Sequence, residues 1–155
     1  MRRCKKPITI FFAIIACFCC FLGCKNQKSE EEIAREMIEK ISDFELPADA
    51  EIVYNIRQKD GNHYQDAKYQ YTVFQLKSVP TKWLEDNRFA DSSNEVKRKD
   101  FENSFSSLIS AKPDNMESIS SVYLPNYSEP YYYLLMNDVY FMFSPHSMLL
   151  IAIVS

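Results

Sequence analysis

At 155 residues the chain has room for one domain, and 46% hydrophobic with 25% charged residues is the composition of a globular protein. Its formal charge is −3; setting aside Arg2, Arg3, Lys5 and Lys6 leaves 14 of the 18 Lys and Arg against all 21 Asp and Glu, a net of −7. An acidic body is a poor candidate for nucleic acid, whose phosphates demand a basic face, and no nucleic-acid partner is expected.

The chain opens with those four basic residues inside its first nine positions, and residues 8–23 then carry no charge. A basic start, an apolar run and a small residue at its end are the layout of a secretory signal. At about 1.5 Å per helical residue the run spans roughly 24 Å, short of a hydrocarbon core of about 30 Å, so cleavage is favoured over a stable span. All five cysteines, Cys4, Cys17, Cys19, Cys20 and Cys24, fall in this region. Their spacing suits neither a zinc site nor a disulfide framework, and the first four read as apolar filler.

Phe21-Leu22-Gly23-Cys24 resembles the lipobox of bacterial lipoprotein precursors, with a small residue directly before the cysteine and "KNQKSEEE" as a polar tether after it. Ile14-Ile15-Ala16-Cys17 is a rival box, but it would leave the greasy "FCCFLG" at the new terminus. The resemblance implies a signal peptide over residues 1–23, diacylglycerol on the Cys24 thiol, a tether over residues 24–28 and a single domain over residues 29–155. It places the body on the extracytoplasmic side of the cell membrane, held there by its lipid. Two or more acyl chains anchor stably without an amphipathic helix. The mature body would then hold no free thiol, so no disulfide, zinc–thiolate site or cysteine nucleophile is expected, and no cofactor.

Ser29 with Glu32 forms a capping box and predicts a helix carrying Ile33, Met37, Ile41 and Phe44 on one stripe, with Ala34 and Ile38 beside it. Residues 51–57 alternate, with Ile52, Tyr54 and Ile56 on one face. Lys59-Asp60-Gly61-Asn62 reads as a turn, and residues 64–76 as the returning strand. Pro80 opens a short helical turn with Trp83 and Leu84; a polar loop follows. Ser92 with Glu95 predicts a second cap, for a helix whose Phe101, Phe105, Leu108 and Ile109 share a face. Residues 118–124, 131–136, 139–143 and 148–154 read as strands, the last of them apolar on both faces and so central or fully covered. The fold class expected is α+β: a mostly antiparallel sheet of about five to six strands with two main helices on one face.

Candidate chemistry is sparse. His63 and His146 sit in predicted turns, with Asp60 and Asp66 near the first, and read as exposed turn residues, with no metal site expected. The many serines lack a G-x-S-x-G elbow, and Gly61 is the only glycine beyond residue 23. The pairs Glu85–Asp86 and Asp100–Glu102 read as solvated acids, and Lys97-Arg98-Lys99 as the outer face of a helix. The unusual feature is aromatic: Tyr131-Tyr132-Tyr133 are consecutive, with Tyr127 close by. Successive strand residues point to opposite faces, so this run would place tyrosine on a sheet face left open by the helices. Such a face suits an envelope protein or glycan, and Tyr127, Tyr131, Tyr132 and Tyr133 are the candidate binding residues. The expected function is that of a non-catalytic binding module. The alternatives are a carboxylate-based hydrolase of envelope material and a lipid-anchored immunity or inhibitor protein.

Overall fold

The computed structural model of the chain describes residues 28–58 and 69–155. The expected signal peptide, Cys24, the turn expected at Lys59–Asn62, the first part of the returning strand expected over residues 64–76, and His63 with its neighbouring acids lie outside the described residues. Among those described, no helix is long and apolar enough to cross a membrane.

Helix α1 (Glu30–Ser42) starts as its sequence dictates: the Ser29 hydroxyl accepts from the Glu32 N–H at 3.1 Å, and Glu32 Oε2 accepts from the Ser29 N–H at 2.8 Å. It stops at Asp43, whose φ of 62° is the left-handed cap, so Phe44 lies beyond the helix while still packing with its stripe. Arg35 then fastens the following loop to the helix, donating to the carbonyls of Ala50, Pro47 and Leu46 at 2.9, 2.8 and 3.2 Å.

Strands β1 (Glu51–Arg57) and β2 (Gln70–Gln75) pair antiparallel with a bulge between Ile52 and Tyr54. The extra residue, Val53, shifts the alternation. Ile52 therefore packs on one side of the sheet, and Tyr54 and Ile56 on the other, in place of the single face that their spacing predicts. Helix α2 (Thr81–Asp86) follows Pro80, burying Leu84 and donating the Trp83 indole N–H to the Glu45 carbonyl at 2.7 Å.

The loop expected after α2 contains a two-residue strand, β3 (Ala90–Asp91), that pairs with Tyr133 and Tyr132. Helix α3 (Glu95–Ser110) is capped by Asn94, whose Oδ1 accepts from the Lys97 N–H at 3.1 Å. The expected cap, Ser92, is used elsewhere: its hydroxyl accepts the Tyr131 N–H at 3.1 Å and its own N–H donates to the Tyr131 carbonyl at 3.0 Å. Residues 118–124 are not a strand but carry a 3-10 turn (Ser121–Tyr123), so β3 supplies the sixth strand. Strands β4 (Tyr132–Met136) and β5 (Val139–Ser144) join through Asn137–Asp138, both at positive φ as a tight hairpin turn requires, and β6 (Leu149–Val154) completes the sheet.

All pairings are antiparallel, in the order β1-β2-β6-β5-β4-β3. The α+β class and strand number agree with the sequence; the placement of the helices does not. Helix α1 and α2 cover one face, where Ile38 and Leu84 meet Phe74, Phe141, Phe143, Leu150 and Ala152. Helix α3 covers the other, where Phe101 and Phe105 meet Tyr71, Tyr133, Met142, Ile151 and Ile153. The cause is in β6 and β5, whose alternate residues are apolar on both sides, so each face needs its own cover.

Phe141 is fully buried beneath Phe44, their ring centroids 5.0 Å apart. Phe141→Ala is expected to cost about 3 to 5 kcal/mol, and Asn94→Ala about 1 kcal/mol, in urea unfolding followed by the fluorescence of Trp83.

Candidate functional site

Because α3 covers the second face, the tyrosine run meets helix on both sides. Tyr131 and Tyr133 turn toward α3, 1% and 9% exposed, and Tyr132 turns to the α1 face, half-buried over Phe143. The Phe101 ring lies 4.5 Å from that of Tyr133 and 6.2 Å from that of Tyr131. Among the described residues the Tyr131–Tyr133 run forms no open face; the rings of Tyr131 and Tyr133 are core.

Their edges nevertheless reach a surface. A groove of about 450 Å³ opens where the start of α3, β3 and the approach to β4 meet. Tyr127, Tyr131 and Tyr132 line it, together with Arg98, Asp91 and Glu129. Three of the four sequence-named tyrosines thus share one groove, and Tyr133 belongs to a separate recess. Pro130 and Pro145 stiffen its walls, and Ser92, Ser93 and Ser128 add hydroxyls.

Glu102 links two of the lining residues, Tyr131 and Arg98. Its Oε1 accepts the Tyr131 hydroxyl at 2.8 Å and lies 3.5 Å from Arg98 Nε, an ion pair too long to be a strong hydrogen bond. Tyr127 is held by a hydroxyl contact of 3.1 Å with Ser106, and its ring meets that of Tyr131 edge-on at 6.0 Å. Burial, then the hydrogen bond to Glu102 and the charge of that carboxylate, push the Tyr131 hydroxyl well above the usual tyrosine range. Asp91 is held below the usual carboxylate range by its hydrogen bonds from Ser93, whose N–H lies 2.9 Å from Oδ1. It stays ionised at the groove wall.

The groove sits at a defined end of the sheet. The row Arg57, Gln70, Val154, Val139 marks the end where α1 begins, because the Gln70 side chain donates to the Ala34 carbonyl at 3.1 Å and Glu30 borders Arg57. The row Gln75, Leu149, Ser144 marks the other end, and Tyr132 stands beside it, paired with Phe143. The groove therefore lies at the end of the sheet opposite the start of α1 and Lys28.

Other candidates do not converge. His146 is exposed in the β5–β6 turn, and no group of three His, Cys, Asp or Glu gathers as a metal site among the described residues. The basic triplet divides: Lys99 pairs with Glu95 at 2.7 Å on the outer surface, while Arg98 turns to Glu102 and the groove. Arg98 and Glu129 are groove residues that sequence reading missed; the i, i+4 spacing of Arg98 and Glu102 was the available signal. No family model, curated protein sequence or solved structure matches the chain.

Burial lifts Tyr69 to about 12 and Tyr71 and Tyr131 further. Folding thus holds these hydroxyls protonated while the unfolded chain titrates near the ordinary value of 10.0. The stabilisation is complete below that pH and is lost as pH rises through about 12. Tyrosinate absorbance in an alkaline titration is expected to rise in two phases, the later one coinciding with loss of the folded signal; a single phase at the ordinary value would contradict the buried tyrosine cluster.

Proposed function

We propose that the chain is a lipid-anchored, extracytoplasmic binding module without catalysis, tethered through Cys24 and presenting the Tyr127–Tyr131–Tyr132 groove to an envelope protein. The observation that carries this reading is the groove's place at the end of the sheet opposite Lys28. A tether of five residues reaches at most about 18 Å, which keeps the α1 end near the bilayer and leaves the groove at the far end of the sheet.

The lining supports binding rather than proton transfer. Tyrosine edges, two prolines and several hydroxyls give contact area at low entropic cost, the composition of protein-recognition surfaces. Asp91, kept ionised, serves as a charge partner and not as a general acid. The groove carries Asp91 and Glu129 against Arg98, whose charge is already engaged by Glu102, and the body as a whole is acidic. Both features favour a basic segment of the partner, as in an inhibitor or immunity protein that answers a basic site.

Two measurements test this. Fatty-acid labelling is expected to mark the wild-type chain and to vanish in Cys24→Ala; label that survives the change places the anchor elsewhere or nowhere. A photo-crosslinker placed at Ser93, exposed in the groove, is expected to yield one discrete protein adduct in membranes, lost when Asp91 and Glu129 are both changed to Lys. An adduct indifferent to that reversal argues against the groove.

A further inference from the structure

Between the end of α3 and Tyr131 the chain runs over residues 112–130 with no regular structure beyond the 3-10 turn at Ser121–Tyr123. Connections of this length are uncommon inside a small domain and are usually functional when ordered. This one crosses the second face of the sheet, where Met116, Ile119, Tyr123 and Tyr127 pack on the core that holds Tyr71 and Ile153.

The segment covers the core without being built into it. None of residues 112–130 is buried, whereas Phe105 before them and Tyr131 after them are 0% and 1% exposed. Its backbone hydrogen bonds are local: the N–H groups of Met116, Tyr123 and Leu124 donate to the carbonyls of Pro113, Ser120 and Ser121. Among the described residues no backbone hydrogen bond ties it to a helix or strand, and no ion pair reaches it. Side-chain hydroxyls from β1, β2 and α3 fasten it instead. That of Tyr54 donates to the Ser118 carbonyl at 3.2 Å and accepts from the Ser120 N–H at 3.4 Å. That of Tyr71 donates to the Tyr123 carbonyl at 2.6 Å, and that of Ser106 meets the Tyr127 hydroxyl at 3.1 Å. Neutral hydrogen bonds of this kind add little net stability each, while β2, β6 and β5 are joined by unbroken ladders. A segment with few buried side chains and few ties opens before the elements around it.

We propose that residues 112–130 form a releasable strap that opens while the sheet stays folded, and that an occupant of the groove holds it shut. The strap supplies Tyr127, Ser128, Glu129 and Pro130 to the groove; α3, β3, β4 and their flanks supply the rest. Lifting the strap dismantles one wall. A partner that touches both walls binds the closed form better and shifts the population toward it by that difference. The coupling rests on the binding role proposed for the groove; the opening itself does not.

Chymotrypsin, whose specificity pocket takes large apolar and aromatic side chains, tests the opening on the purified full-length chain in detergent, with fragments read by mass spectrometry. Cuts after Tyr123 and Tyr127 are expected at urea concentrations where no cut falls in β5 or β6, because cleavage follows the population of the open form. Tyr71→Phe should speed those cuts about fivefold and Ser106→Ala about twofold. Phe141→Ala, which weakens the sheet from its other face, should leave them unchanged. Strap cuts that appear only together with cuts in β5 and β6 overturn the strap, as do strap cuts that accelerate with Phe141→Ala or that ignore both hydroxyl deletions. The coupling is tested in membranes, each rate taken relative to the same chain once purified. There the wild-type strap should be cut more slowly than that of the chain with Asp91 and Glu129 both changed to Lys. Equal cleavage despite an adduct at Ser93 overturns the coupling. Equal cleavage with no adduct removes the groove's binding role and the coupling with it, while the purified chain still decides the strap.

Discussion

A strand that is apolar on both faces has to be covered on both faces. Strand β6 has Leu150, Ala152 and Val154 on one side and Ile151 and Ile153 on the other, all within 4% of full burial. Fully burying one such large side chain is worth about 1.5 to 3 kcal/mol, so leaving either side of β6 to water would cost about 3 to 6 kcal/mol, a large part of the margin of most domains. Antiparallel sheets commonly keep one face wet. This one cannot, and helices occupy both sides of it.

The cover on the second face determines what the surface can offer. Helix α3 converts Tyr131 and Tyr133 from a displayed aromatic face into core, and only the margins of these rings, with Tyr127 and Tyr132, reach solvent. The helix brings its own charges with it. Glu102 takes the Tyr131 hydroxyl, Arg98 follows Glu102 to the groove, and Asp100, two residues away, points to the recess on the other flank. One helix thus separates two surfaces of different chemistry: a polar, tyrosine-edged groove and a more apolar recess beside β4.

Local irregularities adapt the chain to this arrangement. The bulge at Val53 lets β1 serve both cores, sending Ile52 under α1 and Tyr54 to stack on Tyr123, with ring centroids 4.8 Å apart. A ladder of side-chain hydrogen bonds, from Asn55 through Thr72 to Gln70 and on to the Ala34 carbonyl, ties β1, β2 and α1 together in the interior. Ser92, bonded to both backbone groups of Tyr131, closes the end of β3 and holds the groove wall against the sheet.

What the sequence by itself determined is local or periodic: the Ser29 capping box, the helical turn after Pro80, the Phe101–Phe105 stripe, the hairpin turn at Asn137–Asp138, and the central place of the last strand. Each follows from chemistry within a few residues, or from a pattern of burial that allows one position in the sheet. The expectation of helices on one face failed because hydrophobic periodicity says that a face is buried and not which element buries it. Ser92 and Asn94 compete for one cap within three residues, and only the demand of Tyr131 for a partner 39 positions away decides between them. A two-residue strand such as β3 has no period to read. The groove joins residues from β3, α3 and β4 that are neighbours only after the sheet closes, so its tyrosines were visible as composition while Arg98, Asp91 and Glu129 became a site through tertiary contact alone.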